Sequence, residues 1–291
     1  MEGVWTLGVA AVLAAMIAVV AYEVHVTSCA NTTYSGGVEF CLPNDVLGTL
    51  AQLLVQYNLY TYGLAVLPAL AGAFIGCPLV AREIENGTHR LAWTQGVTRL
   101  RWLSVKLVLL SIPLLVAAAV GGVMEVVLIN QLGPSVDRWA FFDQQAPMTI
   151  AATFFALALG VATGAVIGRS IPAMAATLFI FVVVRIGLAE IGRPIYMAPL
   201  TYTQHDMANY SFPPRGYTNA WWVDQASFYD SGGHLLGRGF VGGSVQPAYA
   251  IQHFQPGDRF WTFQGIETAI LCILAVALIG FAIYWATRRV S

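Results

Sequence analysis

Six long apolar runs constrain this chain more than any other feature. They cover residues 5–21, 59–80, 107–129, 148–167, 172–188 and 266–286. A helix needs about 20 residues to cross a bilayer core of roughly 30 Å, and each run is near that length. Inside lipid every backbone N–H and C=O must be paired within the chain, so such runs are stable there as helices and not as loops. Hydrophobic residues make up 57% of the chain and charged residues only 10%, against about 25% charge in a soluble domain. A single water-soluble core is therefore excluded. The expected fold is an all-α integral membrane protein, six transmembrane helices forming one domain over residues 1–291. The first run has neither a basic leader nor a polar cleavage region directly after it, so it is expected as a retained span.

The cations set the orientation. Arg82, Arg90, Arg99, Arg101 and Lys106 fall between spans two and three, Arg169 between spans four and five, and Arg288 and Arg289 after span six. An even number of spans separates these segments, so they share one side, which the positive-inside rule makes the cytoplasm. Both termini are then expected in the cytoplasm. Arg138, Arg193, Arg215, Arg238 and Arg259 lie opposite, in loops that also carry acids. A re-entrant pair at 148–167 and 172–188 would leave the remaining orientation unchanged. The net charge of −1 gives no reason to expect a nucleic-acid partner.

Three outer segments follow from this layout: 23–45, 130–147 and the long stretch 191–264, whose fold the sequence leaves open. Cys29 and Cys41 bracket a polar, turn-forming stretch. Two cysteines in one loop on the oxidising side favour a disulfide over two free thiols. Cys77 and Cys272 fall within spans, where cysteine is usually a small, inert apolar residue. Pro43-Asn44-Asp45 starts a helix with Asp45 as N-cap, and Pro68 is expected to kink it. The 191–264 segment is rich in Tyr, Trp, Gly and Pro, with Trp221, Trp222, Phe228 and Tyr229 as an aromatic group. It reads either as a cap or gate over an exit path or as a structural lid. His205, Asp206, His234, His253 and Asp258 also lie there, but without HExxH or any paired ligand spacing, so no metal site is expected.

The loop between spans two and three, 81–102, carries its own helix signals. Asn86-Gly87 breaks the end of span two, Thr88 can cap a short helix to Gln95, Gly96 ends it, and Thr98 caps the start of span three. Leu91 and Trp93 make that short helix amphipathic beside Arg90 and the acids Glu83 and Glu85. Such a helix suits either a soluble partner or lipid headgroups.

The run Arg82-Glu83-Ile84-Glu85-Asn86-Gly87-Thr88-His89-Arg90-Leu91-Ala92-Trp93-Thr94-Gln95 resembles the segment after span two in the ABC-2 type permeases of actinobacterial ABC exporters. So does Gln255-Pro256-Gly257-Asp258-Arg259-Phe260-Trp261-Thr262-Phe263-Gln264-Gly265-Ile266-Glu267, at the start of the last span. The six-span layout with a long outer segment before the last span resembles the family as well, and arginine used almost to the exclusion of lysine suits a GC-rich genome. The resemblance implies that the loop forms a coupling helix seated in a cleft of a separate ATP-binding subunit. Glu83, Glu85, Thr88, His89, Arg90 and Trp93 are then the expected coupling residues. Asp258, Arg259, Trp261 and Glu267 are expected at an outer gate, where the last span begins. Family members often open with an amphipathic helix on the cytoplasmic surface, and this chain departs from that pattern with Met1-Glu2-Gly3-Val4-Trp5.

Charges within spans are costly and usually pair or face water. Glu125 and Arg185 lie in the outer parts of spans three and five, and are expected either to pair inside the bundle or to snorkel outward. Glu190 and Glu267 lie nearer the outer boundary. No GxxxxGK[ST] motif is present, and the only lysine, Lys106, follows Val105. The chain is therefore expected to be no enzyme and to hold no cofactor, with ATP and magnesium on the partner. The resemblance implies a permease subunit of an exporter in the bacterial plasma membrane, a homodimer with two ATP-binding subunits, moving a lipophilic drug, lipid or hydrophobic peptide. The same architecture also serves a non-transporting immunity or sensor protein. A membrane enzyme using His205, Asp206 or His234 lacks any recognisable nucleophile–base spacing.

Overall fold

The computed structural model describes residues 66–87, 98–132, 138–205, 207, 217, 219–239 and 247–288. The first expected span, the Cys29–Cys41 loop, the helix start at Asp45 and the short helix from Thr88 to Gln95 lie outside the described residues.

Helix α1 spans Val66–Glu85 and contains a π turn at Gly72–Gly76. Helix α2 spans Arg99–Leu132. A 3-10 turn at Arg138–Gln144 precedes α3, Ala146–Ile167. Helix α4 runs Ser170–Tyr196 with a second π turn at Gly187–Gly192, and α5 covers Phe260–Arg288. Among the described residues these five helices are long and apolar enough to cross a membrane. They coincide with the second to sixth apolar runs but extend past them, because a helix continues into polar sequence until something caps it. For α1 that stop is Asn86-Gly87, with Gly87 at φ +69° and no neighbour within 4 Å of a built Cβ. Glycine is needed there for the left-handed backbone and not for space. At the start of α2, the Arg101 N–H donates to Thr98 Oγ1 at 3.3 Å, as the cap reading of Thr98 requires. Gly168, at φ +65°, closes α3 just before α4 begins.

Contacts divide the chain into two compact units. The first comprises Met1–Gln131, Asp143–Arg185 and Glu267–Ser291. In it α1 and α3 are mostly buried, whereas α2, α4 and α5 show apolar side chains such as Leu109, Phe179 and Ile273 outward. Continuous apolar surface of this kind suits lipid, not water. Val80, Trp102, Val161, Ala165, Ala282 and Ala286 form one buried cluster. The end of α1, the start of α2, and the ends of α3 and α5 therefore meet, and the basic segments around Arg82, Arg169 and Arg288 gather at one end of the helices.

The second unit comprises Leu132–Phe142 and Ile186–Ile266. Its described part includes a five-stranded antiparallel sheet: β1 Leu200–Gln204, β2 Trp221–Trp222, β3 Ser227–Tyr229, β4 Leu235–Arg238 and β5 Tyr249–Gln255. The order is β1-β5-β3-β4, with β2 also on β5. Ala250, Gln252 and Phe254 alternate inward along β5, and Ala250 sits opposite Phe228 in register. The sheet falls in the segment whose fold the sequence left open. Beside it, buried Trp139 stacks on Phe142 at 5.9 Å and meets Trp221, Phe260 and Phe263 at 5.5, 5.3 and 5.3 Å. Its indole N–H donates to the Asn219 carbonyl at 3.2 Å.

Candidate functional site

The last turn of α1 reaches two neighbouring helices at once. Residues two apart on a helix point about 200° apart, since each step turns about 100°. Glu83 accepts a hydrogen bond from Trp102 Nε1 of α2 at 3.0 Å and an ion pair from Lys106 one turn later. The Lys106 ammonium also lies over the Trp102 ring, 4.4 Å from its centroid. The Glu83–Lys106 side chains are about a quarter to a third exposed, so the pair is partly screened and contributes about 0–1 kcal/mol. Glu85 points to the opposite side. Its Oε2 accepts from the Ser170 backbone N–H at 3.1 Å and from Ser170 Oγ at 2.9 Å. It thus caps the first turn of α4 from another helix, where orphan N–H groups and the dipole both favour a carboxylate. Thr88, His89, Arg90 and Trp93 lie outside the described residues.

The joint between α1 and α3 is of another kind. A Cβ on Gly160 would lie 2.1 Å from the Gly72 carbonyl oxygen, and one on Gly164 2.5 Å from the Cys77 carbonyl. A Cβ on Gly72 would meet the Ala156 carbonyl oxygen at 2.4 Å. The two backbones touch, which only glycine permits, and small residues at four-residue spacing serve this purpose between helices in lipid.

Of the expected Glu125–Arg185 pair only Arg185 has a described side chain. Arg185 Nη1 donates to Glu267 Oε1 at 2.7 Å, and Nη2 to Asp143 Oδ1. Glu267 is fully buried. Arg185 thus pairs inside the bundle, with these two acids, and does not snorkel. The Glu125 side chain lies outside the described set, although its backbone is part of α2. Of the residues grouped as an outer gate, Glu267 belongs to this cluster. Asp258 and Trp261 are exposed in the second unit, and Arg259 Nη1 donates to the Ala198 carbonyl and to Gln255 Oε1, both at 2.8 Å. Glu190 is exposed in the π turn. On the sheet, His253 Nδ1 pairs with Asp224 at 2.7 Å and His234 with Asp230 at 3.1 Å, two separate surface contacts and not one site.

Sequence reasoning missed Trp102, Ser170 and Asp143. The position of Ser170 just after Gly168-Arg169, at the start of an apolar run, was a usable signal for a helix start that needs a cap. Nothing local marked Asp143 as a partner for a residue 42 positions away. The Gly72-xxx-Gly76 and Gly160-xxx-Gly164 spacings were visible and went unread.

Five membrane-length helices joined by glycine contacts, with a buried charge cluster and polar ties at their basic end, define a multi-pass membrane protein. Residues 6–193 match the model of one family, described as ABC-2 membrane transporter related. The chain belongs to that family, which makes it a membrane transporter component and implies a partner ATP-binding subunit in general. Comparison with curated proteins gives no match, and comparison with solved structures gives none.

Proposed function

We propose that this chain is the membrane-spanning permease subunit of an ATP-driven exporter in the bacterial plasma membrane. It crosses the bilayer six times with its basic end in the cytoplasm. Two copies form the translocation path, and two separate ATP-binding subunits supply the energy. The chain contributes no hydrolytic site and no cofactor of its own. ATP and magnesium belong to the partner. The cargo is lipophilic, in keeping with described helices whose charged groups are few and whose buried polar residues are mainly threonines and glutamines.

One observation supports this reading above the rest. The loop that resembles the coupling segment of such exporters leaves α1 and joins α2 at the end where the basic segments gather, and its flanks are tied to α2 and α4 through Glu83 and Glu85. A force applied to that loop has a direct mechanical path into three helices. Loops of this charge face the cytoplasm, where an ATP-binding subunit resides.

The test is co-purification of the tagged chain with the ATP-binding subunit encoded beside it, followed by ATP hydrolysis in lipid nanodiscs. The wild type is expected to retain the ATPase, and the His89→Ala/Trp93→Ala double variant to lose it or to lose control over its hydrolysis. A folded wild-type chain that captures no ATPase ends the exporter reading.

A further inference from the structure

We infer that Glu83 and Glu85 are positioning residues that divide one input between two helices, Glu83 steering α2 and Glu85 steering α4, and that neither contacts the ATP-binding subunit. The inference rests on the permease reading above and assigns these two acids a role different from docking.

Both carboxylates are already engaged within the chain. Glu83 holds the Trp102 indole N–H and the Lys106 ammonium, and Glu85 holds the Ser170 N–H and hydroxyl. Their partners lie on different helices because the acids sit two positions apart on the last turn of α1. Immediately beyond them Asn86-Gly87 ends the helix, so anything that pulls on the loop pulls first on this turn.

The joints that α1 makes with α2, α3 and α4 are not equivalent. Against α3 the backbones are in contact along Gly72, Gly160 and Gly164, and that seam cannot slide without a clash. At the last turn of α1 the joints to α2 and α4 consist of side-chain contacts, Glu83 with Trp102 and Lys106 and Glu85 with Ser170, which can break and re-form without a backbone clash. The Glu83–Lys106 pair is partly exposed and Glu85 is exposed. The structure thus has a rigid body, α1 with α3, and two releasable arms. Cys77 shows how close the rigid body lies to the second arm, because its Sγ is 3.6 Å from the Ser170 carbonyl oxygen and its own carbonyl faces Gly164.

The sequence supplies a probe. Lys106 is the only lysine in the chain, so an amine-selective acylating reagent followed by peptide mass spectrometry reads the first arm at a single side chain. Hydrogen exchange of a peptide that begins at Val166 or earlier and includes Ser170 reads the second arm, because Glu85 accepts from the Ser170 amide.

The experiment uses the complex with its ATPase in nanodiscs, with and without vanadate-trapped nucleotide. Nucleotide is expected to change both Lys106 acylation and Ser170-region exchange in the wild type by at least threefold. Glu83→Gln is expected to keep ATPase capture, with Lys106 acylation high and no longer responsive to nucleotide, while the α4 signal still responds. Glu85→Gln is expected to do the converse. Trp102→Phe, which removes one N–H donor and little volume, gives a milder form of the first arm should Glu83→Gln fold poorly. Three results overturn the proposal while leaving the permease reading intact: loss of ATPase capture in the single variants only, both signals changing together in either variant, or no response of either signal to nucleotide in the wild type. A wild-type chain that captures no ATPase overturns the proposal together with the reading beneath it.

Discussion

The α1–α3 seam and the cluster around Trp139 pack helices by opposite means. The seam removes side chains until carbonyl oxygens stand where a Cβ would go. The cluster adds them, setting Trp139 among Phe142, Trp221, Phe260 and Phe263. In lipid the hydrophobic effect does not drive helices together, since the tails are as apolar as leucine, so attraction must come from close contact and from polar groups. The aromatic cluster instead stabilises by covering large rings, whose burial and edge-to-face contacts are worth most where water is the alternative. The difference teaches that the same chain has joints sensitive to added atoms and joints sensitive to lost ones.

Gly160→Ala is expected to break the seam outright. The added methyl falls 2.1 Å from a backbone oxygen, and overpacking costs about 1–3 kcal/mol, with the upper end expected where backbone must move. The readout is the yield of monodisperse protein after detergent extraction, and a normal yield and melting temperature would refute the seam. Trp139→Ala tests the other joint. It leaves a cavity and frees the Asn219 carbonyl, for a cost of about 3–5 kcal/mol, measured as a fall in melting temperature with loss of near-UV dichroism.

Arg185→Leu sharpens the contrast by testing a charged joint beside the seam. It deprives buried Glu267 of the guanidinium, and breaking such a pair from one side costs about 3–5 kcal/mol. Adding Glu267→Gln to it is expected to recover much of that loss, because the amide has no charge to desolvate. Failure of the double variant to recover would mean that Arg185 acts mainly through Asp143. The smallest effect is expected at Gly280, in the interior of α5 with nothing among the described residues within 4 Å of a built Cβ. Gly280→Ala should stabilise by about 0.5–1 kcal/mol through helix propensity alone. A strong loss there would show that a second protein surface covers this face of α5.

Much of the helical part was legible because it depends on local rules. A bilayer-length apolar run must be a helix, and Asn86-Gly87 stops one helix and Thr98 caps the next through local preferences. Pairing partners were less legible. The sequence marked Arg185 as a charge needing company, but Glu267 and Asp143 lie 82 and 42 positions away, and only helix packing selects among distant acids. The sheet was hidden for a related reason. Its strands are short, down to the two residues of β2, and sit in a Gly- and Pro-rich stretch. Three of them pair with β5, up to 54 positions further on in the Leu200–Phe254 pairing, and β4 pairs with β3.

Membrane residence and helix stops followed from composition and local chemistry, which act within a few turns of chain. That Glu83 and Glu85 serve different helices, that glycines 72 and 160 touch, and that Arg185 stands between two acids were decided by the tertiary structure. Each of these contacts depends on where a remote segment lies in space, and neither hydropathy nor spacing carries that distance.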